Sequence, residues 1–322
     1  MPGACSLEPG LQCEQLVFSL APGIGFVDLR FSSPPIATGV YTDAAGVVLI
    51  DPGPTSCLEK LRHTLADHSI SLTDVRAVLL THVHLDHAGA AGTIVQENPN
   101  IEVYVHERGA RHVIDPSKLV ESATRLWGPM MGTLWGAVLP VPAPNVQILR
   151  GGEQIRLGQR QFEVAYTPGH ASHHVSYFDR GSGVAWVGDT AGIRIGQTRF
   201  VRPPTPPPDI DVEAWTESVA RIRAWQPQTI FITHFGPFQP VAEHLEEFEN
   251  TLKEMAELVR QSLDSGQSDD ERFEHFREEF ERYIRSQVSE HEAAAYGRVE
   301  DMIFSWQGLA RYWRKREAVR RG

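Results

Sequence analysis

The residues of this chain best suited to chemistry are crowded into one short stretch, Thr81-His82-Val83-His84-Leu85-Asp86-His87. Four metal-competent side chains fall there within six residues. The stretch follows the apolar run at 77–80, which predicts a buried strand. Strand periodicity points His82 and His84 the same way, while Asp86 and His87 lie at a turn into a helix and can face an adjacent point. One segment can therefore serve two neighbouring ions. Imidazole and carboxylate suit zinc, but four ligands cannot complete two sites, so more donors are required. They occur after three other apolar runs: His170 after 165–169, Asp189 after 185–188 and His234 after 230–233. A lone histidine beside an apolar run is more often a packing or surface residue than a ligand. Seven donors repeatedly placed at such run ends point to a dinuclear metal centre instead.

The elements that must position these donors read as an α/β domain. Short β-type runs broken by Gly, Pro and Ser occupy residues 14–50, closed by Asp51-Pro52-Gly53. Residues 58–68 have helical spacing, 88–96 continue from the motif as a helix, and 102–105 form a strand. A helical insert at about 108–145 is rich in Trp and Met. Further strands are expected at 164–166, 175–178, 184–187 and 229–233, with a helix over 212–225. Five prolines in 201–208 require a loop. From 241 onward strands vanish and apolar residues recur at helical spacing, with Ser265 to Asp270 breaking the first helix from the second. The expected division is a catalytic domain over 1–240 and a helical C-terminal region over 241–322. The stripe Phe273, Phe276, Phe280 reads as core or as the face of a homodimer.

A chain of 322 residues with 41% hydrophobic and 22% charged side chains can bury a full core. A net charge of −11 argues against a general nucleic-acid binder, and the basic run Arg311 to Arg321 complements the end of a helix. Cys5, Cys13 and Cys57 show no CxxC pairing, so a thiolate site or disulfide scaffold is not indicated. With no leader pattern and no long apolar span, the expectation is a cytoplasmic protein acting on a small molecule, with neither nucleic acid nor membrane as partner.

The series His82-x-His84-x-Asp86-His87, His170, Asp189, His234 resembles the metallo-β-lactamase fold superfamily over roughly residues 14–240. The resemblance implies an αββα sandwich with a helical C-terminal extension. It implies His82, His84 and His170 on one ion, Asp86, His87 and His234 on the other, and Asp189 bridging. It further implies two divalent ions, zinc first, with iron or manganese accepted by the same donors. A metal-bound hydroxide, its parent water acidified by coordination to a pKa of about 7, would attack the carbonyl of an ester, lactone or thioester. Asp86 would shuttle the proton. The bridging aspartate separates the chain from zinc β-lactamases and leaves it similar to the glyoxalase II and lactonase branches. Thr190-Ala191-Gly192 offers no tyrosine of the kind many lactonases place there. Asp51 and His174 are the expected supports of the ligands, and Trp127, Met130, Met131 and Trp135 the expected substrate pocket. Two other readings are a mononuclear iron oxidoreductase resembling persulfide dioxygenases, and a non-catalytic metal-binding protein.

Overall fold

Strands form in this chain where apolar side chains alternate between two buried faces. Val47 and Leu49 enter one hydrophobic cluster while Val48 and Ile50 enter another, which a two-residue period allows only in a sheet covered on both sides. In a second sheet, Val184 and Trp186 face the first while Ala185 and Val187 face helices. The layers are therefore helices, sheet, sheet, helices, an αββα sandwich.

The computed structural model describes residues 17–31, 34–196, 198–265, 268–299 and 302–321. Cys5, Cys13 and residues 14–16 lie outside them. The first sheet runs in chain order through β1 (Val17–Ala21), β2 (Ile24–Asp28), β3 (Ala37–Asp43), β4 (Gly46–Ile50), β5 (Val75–Leu79), β6 (Glu102–His106) and β7 (Val146–Leu149). The second comprises β8 (Gln154–Leu157), β9 (Arg160–Tyr166), β10 (Val175–Asp179), β11 (Val184–Gly188), β12 (Thr229–Ile232) and β13 (Gly236–Phe238). The helices are α1 (Leu58–Asp67), α2 (Leu85–Ala88), α3 (Ala91–Glu97), α4 (Glu107–Ile114), α5 (Ser117–Trp127), α6 (Met131–Leu134), α7 (Val212–Ala224), α8 (Val241–Leu263), α9 (Asp269–Gln287), α10 (Glu290–Val299) and α11 (Met302–Arg321).

Two departures from the sequence reading have physical causes. The strands β7, β8 and β13 go beyond the sequence expectation; each is an edge strand of four residues or fewer, too short to establish a period. The helix expected over 88–96 is two helices, because Ala90 N–H donates to Gly53 O at 2.9 Å rather than back along its own helix. Among the described residues the C-terminal region holds the four helices α8 to α11, with Ser268 capping α9 through a reciprocal pair with Glu271; residues 266–267 of the expected break lie outside the described residues.

The C-terminal helices do not form a separate core. Leu245, Phe248, Phe276, Phe280 and Trp306 share one cluster with Ala185, Ile230 and Ile232 of the second sheet. Phe276 and Phe280 are thus core residues rather than a dimer face. The basic end of α11 is partly committed to the fold: Arg311 donates to Pro208 O, Arg314 to Asp269, and Arg316 pairs with Glu213. Cys57 is buried with a free thiol. Among the described residues no helix is long and apolar enough to cross a membrane.

Candidate metal centre

Both sheets contain a parallel pair, β4 with β5 and β11 with β12, and the chemistry-bearing residues follow the C-terminal ends of these strands. Asp51 follows β4, the His82 to His87 segment follows β5, Asp189 follows β11 and His234 follows β12. His170 lies beyond β9. Cross-sheet bonds fix the two sets against each other: Val175 N–H donates to Thr81 O at 2.8 Å, and Ala37 N–H to Thr233 O at 2.9 Å.

The seven donors converge in two adjoining groups. His84 Nδ1 lies 2.9 Å from His82 Nε2 and 3.0 Å from His170 Nε2. Beside them, Asp86 Oδ2 lies 3.3 Å from His234 Nε2 and 3.6 Å from His87 Nε2. Asp189 stands between. Its Oδ2 is 3.3 Å from His170 Nε2, while its Oδ1 is 3.3 Å from His87 Nε2 and 3.4 Å from His234 Nε2.

The ring nitrogens that face outward determine what those facing inward carry. His170 Nδ1 donates to Pro204 O at 2.9 Å and His234 Nδ1 to Pro35 O at 2.8 Å. A carbonyl only accepts, so in the neutral ring each Nε2 presents a lone pair to the centre. His87 Nδ1 meets Asp51 Oδ2 at 2.8 Å with the same result. Thr81 Oγ1 gives its proton to Asp51 Oδ2 at 2.7 Å, so at 3.2 Å it accepts from His82 Nδ1. With the rings neutral, four Nε2 lone pairs and two carboxylates thus converge. Two of these buried atoms, His87 Nε2 and Asp189 Oδ1, have no hydrogen-bond partner; each such atom costs about 1–3 kcal/mol unless something satisfies it. A cation satisfies both, and the residues fit divalent metal: His82 with His84 and His170, His82 with His87 and Asp189, and Asp86 with His87 and His234 are all clusters able to hold one.

Electrostatics divide the centre in the same way. Burial, reinforced by neighbouring imidazoles, holds His82 well below the usual histidine range and brings His84 to about 4. Burial opposes charge on His87 and His234 too, but Asp189 and Asp86 outweigh it and raise both. Burial likewise opposes ionisation of Asp86, yet His87 and His234 prevail and bring it to about 2.

The supports are also in place. Asp51, at φ 49° in the left-handed region that Asp tolerates, accepts four bonds: Thr81 N–H, Thr81 Oγ1–H, Thr233 Oγ1–H and His87 Nδ1–H. His174 Nε2 accepts the backbone N–H of Asp189 at 3.2 Å, and its Nδ1 meets the hydroxyls of Thr167 and Thr190. Gly188 lets these networks touch. A Cβ there would lie 2.5 Å from Thr81 Oγ1 and 2.6 Å from His174 Nε2.

A cavity of about 1200 Å³ opens from the centre, bordered by His84, Asp86, His170, Asp189 and His234. Trp127 and Trp135 line it, as does the proline loop. Met130 and Met131, expected in the same pocket, do not: they follow the turn that ends α5, and Met130 is 49% exposed. The carbonyls of Pro35 and Pro204 are backbone acceptors and carry no residue-type signal in the sequence. Arg108, Arg111 and Lys118, which no motif marks, also line the cavity. His173 lies on the wall too, with its Nδ1 unpartnered.

The profile of the Metallo-beta-lactamase superfamily matches residues 35–234. The chain is 29% identical over 205 residues to a metallo-beta-lactamase fold-containing protein of Sulfurisphaera tokodaii, spanning 62% of this chain and 73% of that protein. It is 28% identical over 166 residues to the hydroxyacylglutathione hydrolase GloC of Haemophilus influenzae, spanning 51% and 70%. Among solved structures, a metallo-beta-lactamase family protein from Thermus thermophilus matches with a TM-score of 0.71 at 22% identity, over 93% of this chain and 96% of that one. That likeness concerns the fold, and its extent takes in the C-terminal helices.

Proposed function

The chain belongs to the metallo-beta-lactamase superfamily, and from that premise we propose that it is a hydrolase of ester-type bonds that depends on two divalent ions, with a thioester as substrate ahead of a lactone. The observation that carries this reading is Asp189, whose two carboxylate oxygens each face histidine nitrogens of a different group at 3.3–3.4 Å. A carboxylate so placed is suited to bridging. His82, His84 and His170 would hold one ion, and Asp86, His87 and His234 the other; imidazole and carboxylate favour zinc, with iron or manganese accepted by the same donors. When bound, such ions supply an acidified water and an electrophile for the substrate's carbonyl oxygen.

The chain's own residues do the rest. Asp51, Pro35, Pro204 and Thr81 hold the imidazoles with their ligating nitrogens turned inward. Asp86 is the more open carboxylate, its side chain 17% exposed against 4% for Asp189. It borders the cavity and is the group able to pass a proton from water to a leaving group. The buried floor keeps bulk solvent from the reacting carbonyl. A mononuclear iron reading would leave His87 and His234 without a role, although each is anchored by its own outer partner. Preference for a thioester draws on the hydroxyacylglutathione hydrolases among the relatives and on the absence of tyrosine in Thr190-Ala191-Gly192.

Initial rates of metal-replete protein on a glutathione thioester and a size-matched lactone, with His170→Ala as control, test this. The expected result is a thioester rate above the lactone rate, both lost in the variant. A rate on either substrate that survives the substitution would remove the metal centre from the reaction.

A further inference from the structure

The far walls of the cavity have a construction that hydrolysis of a small ester does not require. Leu119, Ala123, Leu126 and Trp127 recur at helical spacing on α5 and line the cavity, yet not one residue of this eleven-residue helix is buried. An amphipathic helix ordinarily turns such a stripe into a core; this one turns it towards the space above the metal centre. Leu126 is 37% exposed, a large apolar side chain on the cavity wall, and apolar surface left open in this way marks a binding surface.

The side of the cavity built by the C-terminal helices adds Ile284 of α9 with Met302 and Phe304 of α11, beside the charged Arg277, Glu281, Arg285 and Glu290. Aromatic contacts connect the two. Phe31 stacks on Trp135 at 5.5 Å, Trp135 meets Trp127 at 5.5 Å, and Trp127 meets Phe304 at 5.4 Å. These four rings make an arch from the segment after β2 to the last helix.

Charge is distributed unevenly around the same cavity. Arg277 and Arg285 are paired with Glu274, Glu281 and Glu290, and the wall residue Glu107 is paired with Arg150. Arg108 and Arg111, three apart on α4, and Lys118 at the start of α5 have no carboxylate partner among the described residues. Arg108 lies over the ring of Tyr166 and Arg111 donates to His112, and neither contact neutralises a charge. The nearby acids are Asp209, engaged by the Ser172 hydroxyl, and Asp115, which accepts from Ser117 N–H and is felt by Lys118; two carboxylates offset part of the three positive charges.

We propose that the substrate cleaved at this centre is a large amphipathic acyl thioester, with an extended apolar acyl chain beneath the aromatic arch and a leaving group whose anionic groups meet Arg108, Arg111 and Lys118. The proposal rests on the hydrolase reading above and narrows its substrate. In the reaction, the oxygen of water bonds to the acyl carbon and the carbon–sulfur bond breaks. The sulfur departs as a thiol, and the acid product ionises with release of one proton.

The test uses the full metal-replete chain with C2, C4, C8 and C12 thioesters of coenzyme A, which is polyanionic, and of N-acetylcysteamine, which is neutral. kcat/KM should rise with chain length by up to about fourfold per methylene, the equivalent of ~0.8 kcal/mol buried. Coenzyme A esters should exceed the neutral series by roughly tenfold at low salt, and by less at high salt. Leu126→Glu should flatten the chain-length slope, and Arg111→Glu with Lys118→Glu should abolish the carrier preference. Calorimetry of dodecanoate binding to metal-free protein gives a second readout, which Leu126→Glu should weaken. A flat chain-length profile, or equal rates on both carriers, alongside turnover of phenyl acetate would overturn this proposal and leave the hydrolase reading standing. Failure to turn over any ester, phenyl acetate included, would overturn both, whereas dodecanoate binding without turnover would sink the hydrolase reading and leave the apolar cavity as a binding site alone.

Discussion

Asp51→Asn isolates the outermost control on the metal centre. Asp51 touches none of the space an ion would occupy, yet its Oδ2 accepts from Thr81 Oγ1, Thr233 Oγ1 and His87 Nδ1 at 2.7, 3.0 and 2.8 Å, and its Oδ1 accepts from Thr81 N–H at 2.8 Å. An amide has one accepting end. With its NH2 at the Oδ1 position it faces the fixed Thr81 N–H, donor against donor. With its NH2 at the Oδ2 position the two hydroxyls can rotate, but His87 must give up its Nδ1 proton and become Nε2–H. That change puts a proton on the nitrogen aimed at Asp189 Oδ1, where a lone pair is needed. Loss of such an outer partner typically weakens metal binding by about 10–100-fold, or ~1.4–2.7 kcal/mol. The loss should fall on the ion held by Asp86, His87 and His234, leaving one ion tight and one weak. Competition between the protein and a chromophoric zinc chelator separates the two affinities. Two unchanged affinities in Asp51→Asn would refute the tautomer argument and reduce Asp51 to a turn residue.

Gly188→Ala should act through the same network from the other side: its methyl would press on Thr81 Oγ1 and His174 Nε2 at a positive φ of 47°. A loss of about 1–3 kcal/mol in urea unfolding is expected, together with weaker zinc retention; a variant as stable as the parent would mean that these contacts yield without cost. His244 on α8 should impose an acid limit on stability. Its Nε2 donates to Ala191 O and its Nδ1 accepts from Arg194, and burial brings its pKa down to about 4. Between about pH 6.5 and 4 the unfolded state then binds the extra proton, so about 3 kcal/mol present above that window is lost as pH falls through it. Urea unfolding across this range should be less pH-dependent in His244→Gln, and identical slopes would contradict the assignment.

The donors were legible because their chemistry is distinctive and because each follows an apolar run; the structure brings His82, His84, Asp86, His87, His170, Asp189 and His234 into one centre. Central strands were legible for a related reason, since burial on both faces leaves long runs such as Val47 to Ile50. Three edge strands were not, because three or four residues, as in β8 (Gln154–Leu157), are too few to establish a period. The insert serves two ends: Trp127 lines the cavity and also touches Phe304 of α11. Met130 and Met131 show the limit of composition as a guide, since residue type recommends them for a pocket and only the turn after α5 decides where they point. The carbonyls that orient His170 and His234 belong to Pro204 and Pro35, and no side-chain pattern could mark them.

The central claim is that two ions act together in hydrolysis, and stepwise addition of zinc to metal-stripped protein, followed by phenyl acetate turnover, tests it most directly. The account predicts that turnover continues to rise until two equivalents per chain are bound and that Asp189→Ala abolishes the rise. Turnover complete at one equivalent, and unchanged by a second, would contradict it.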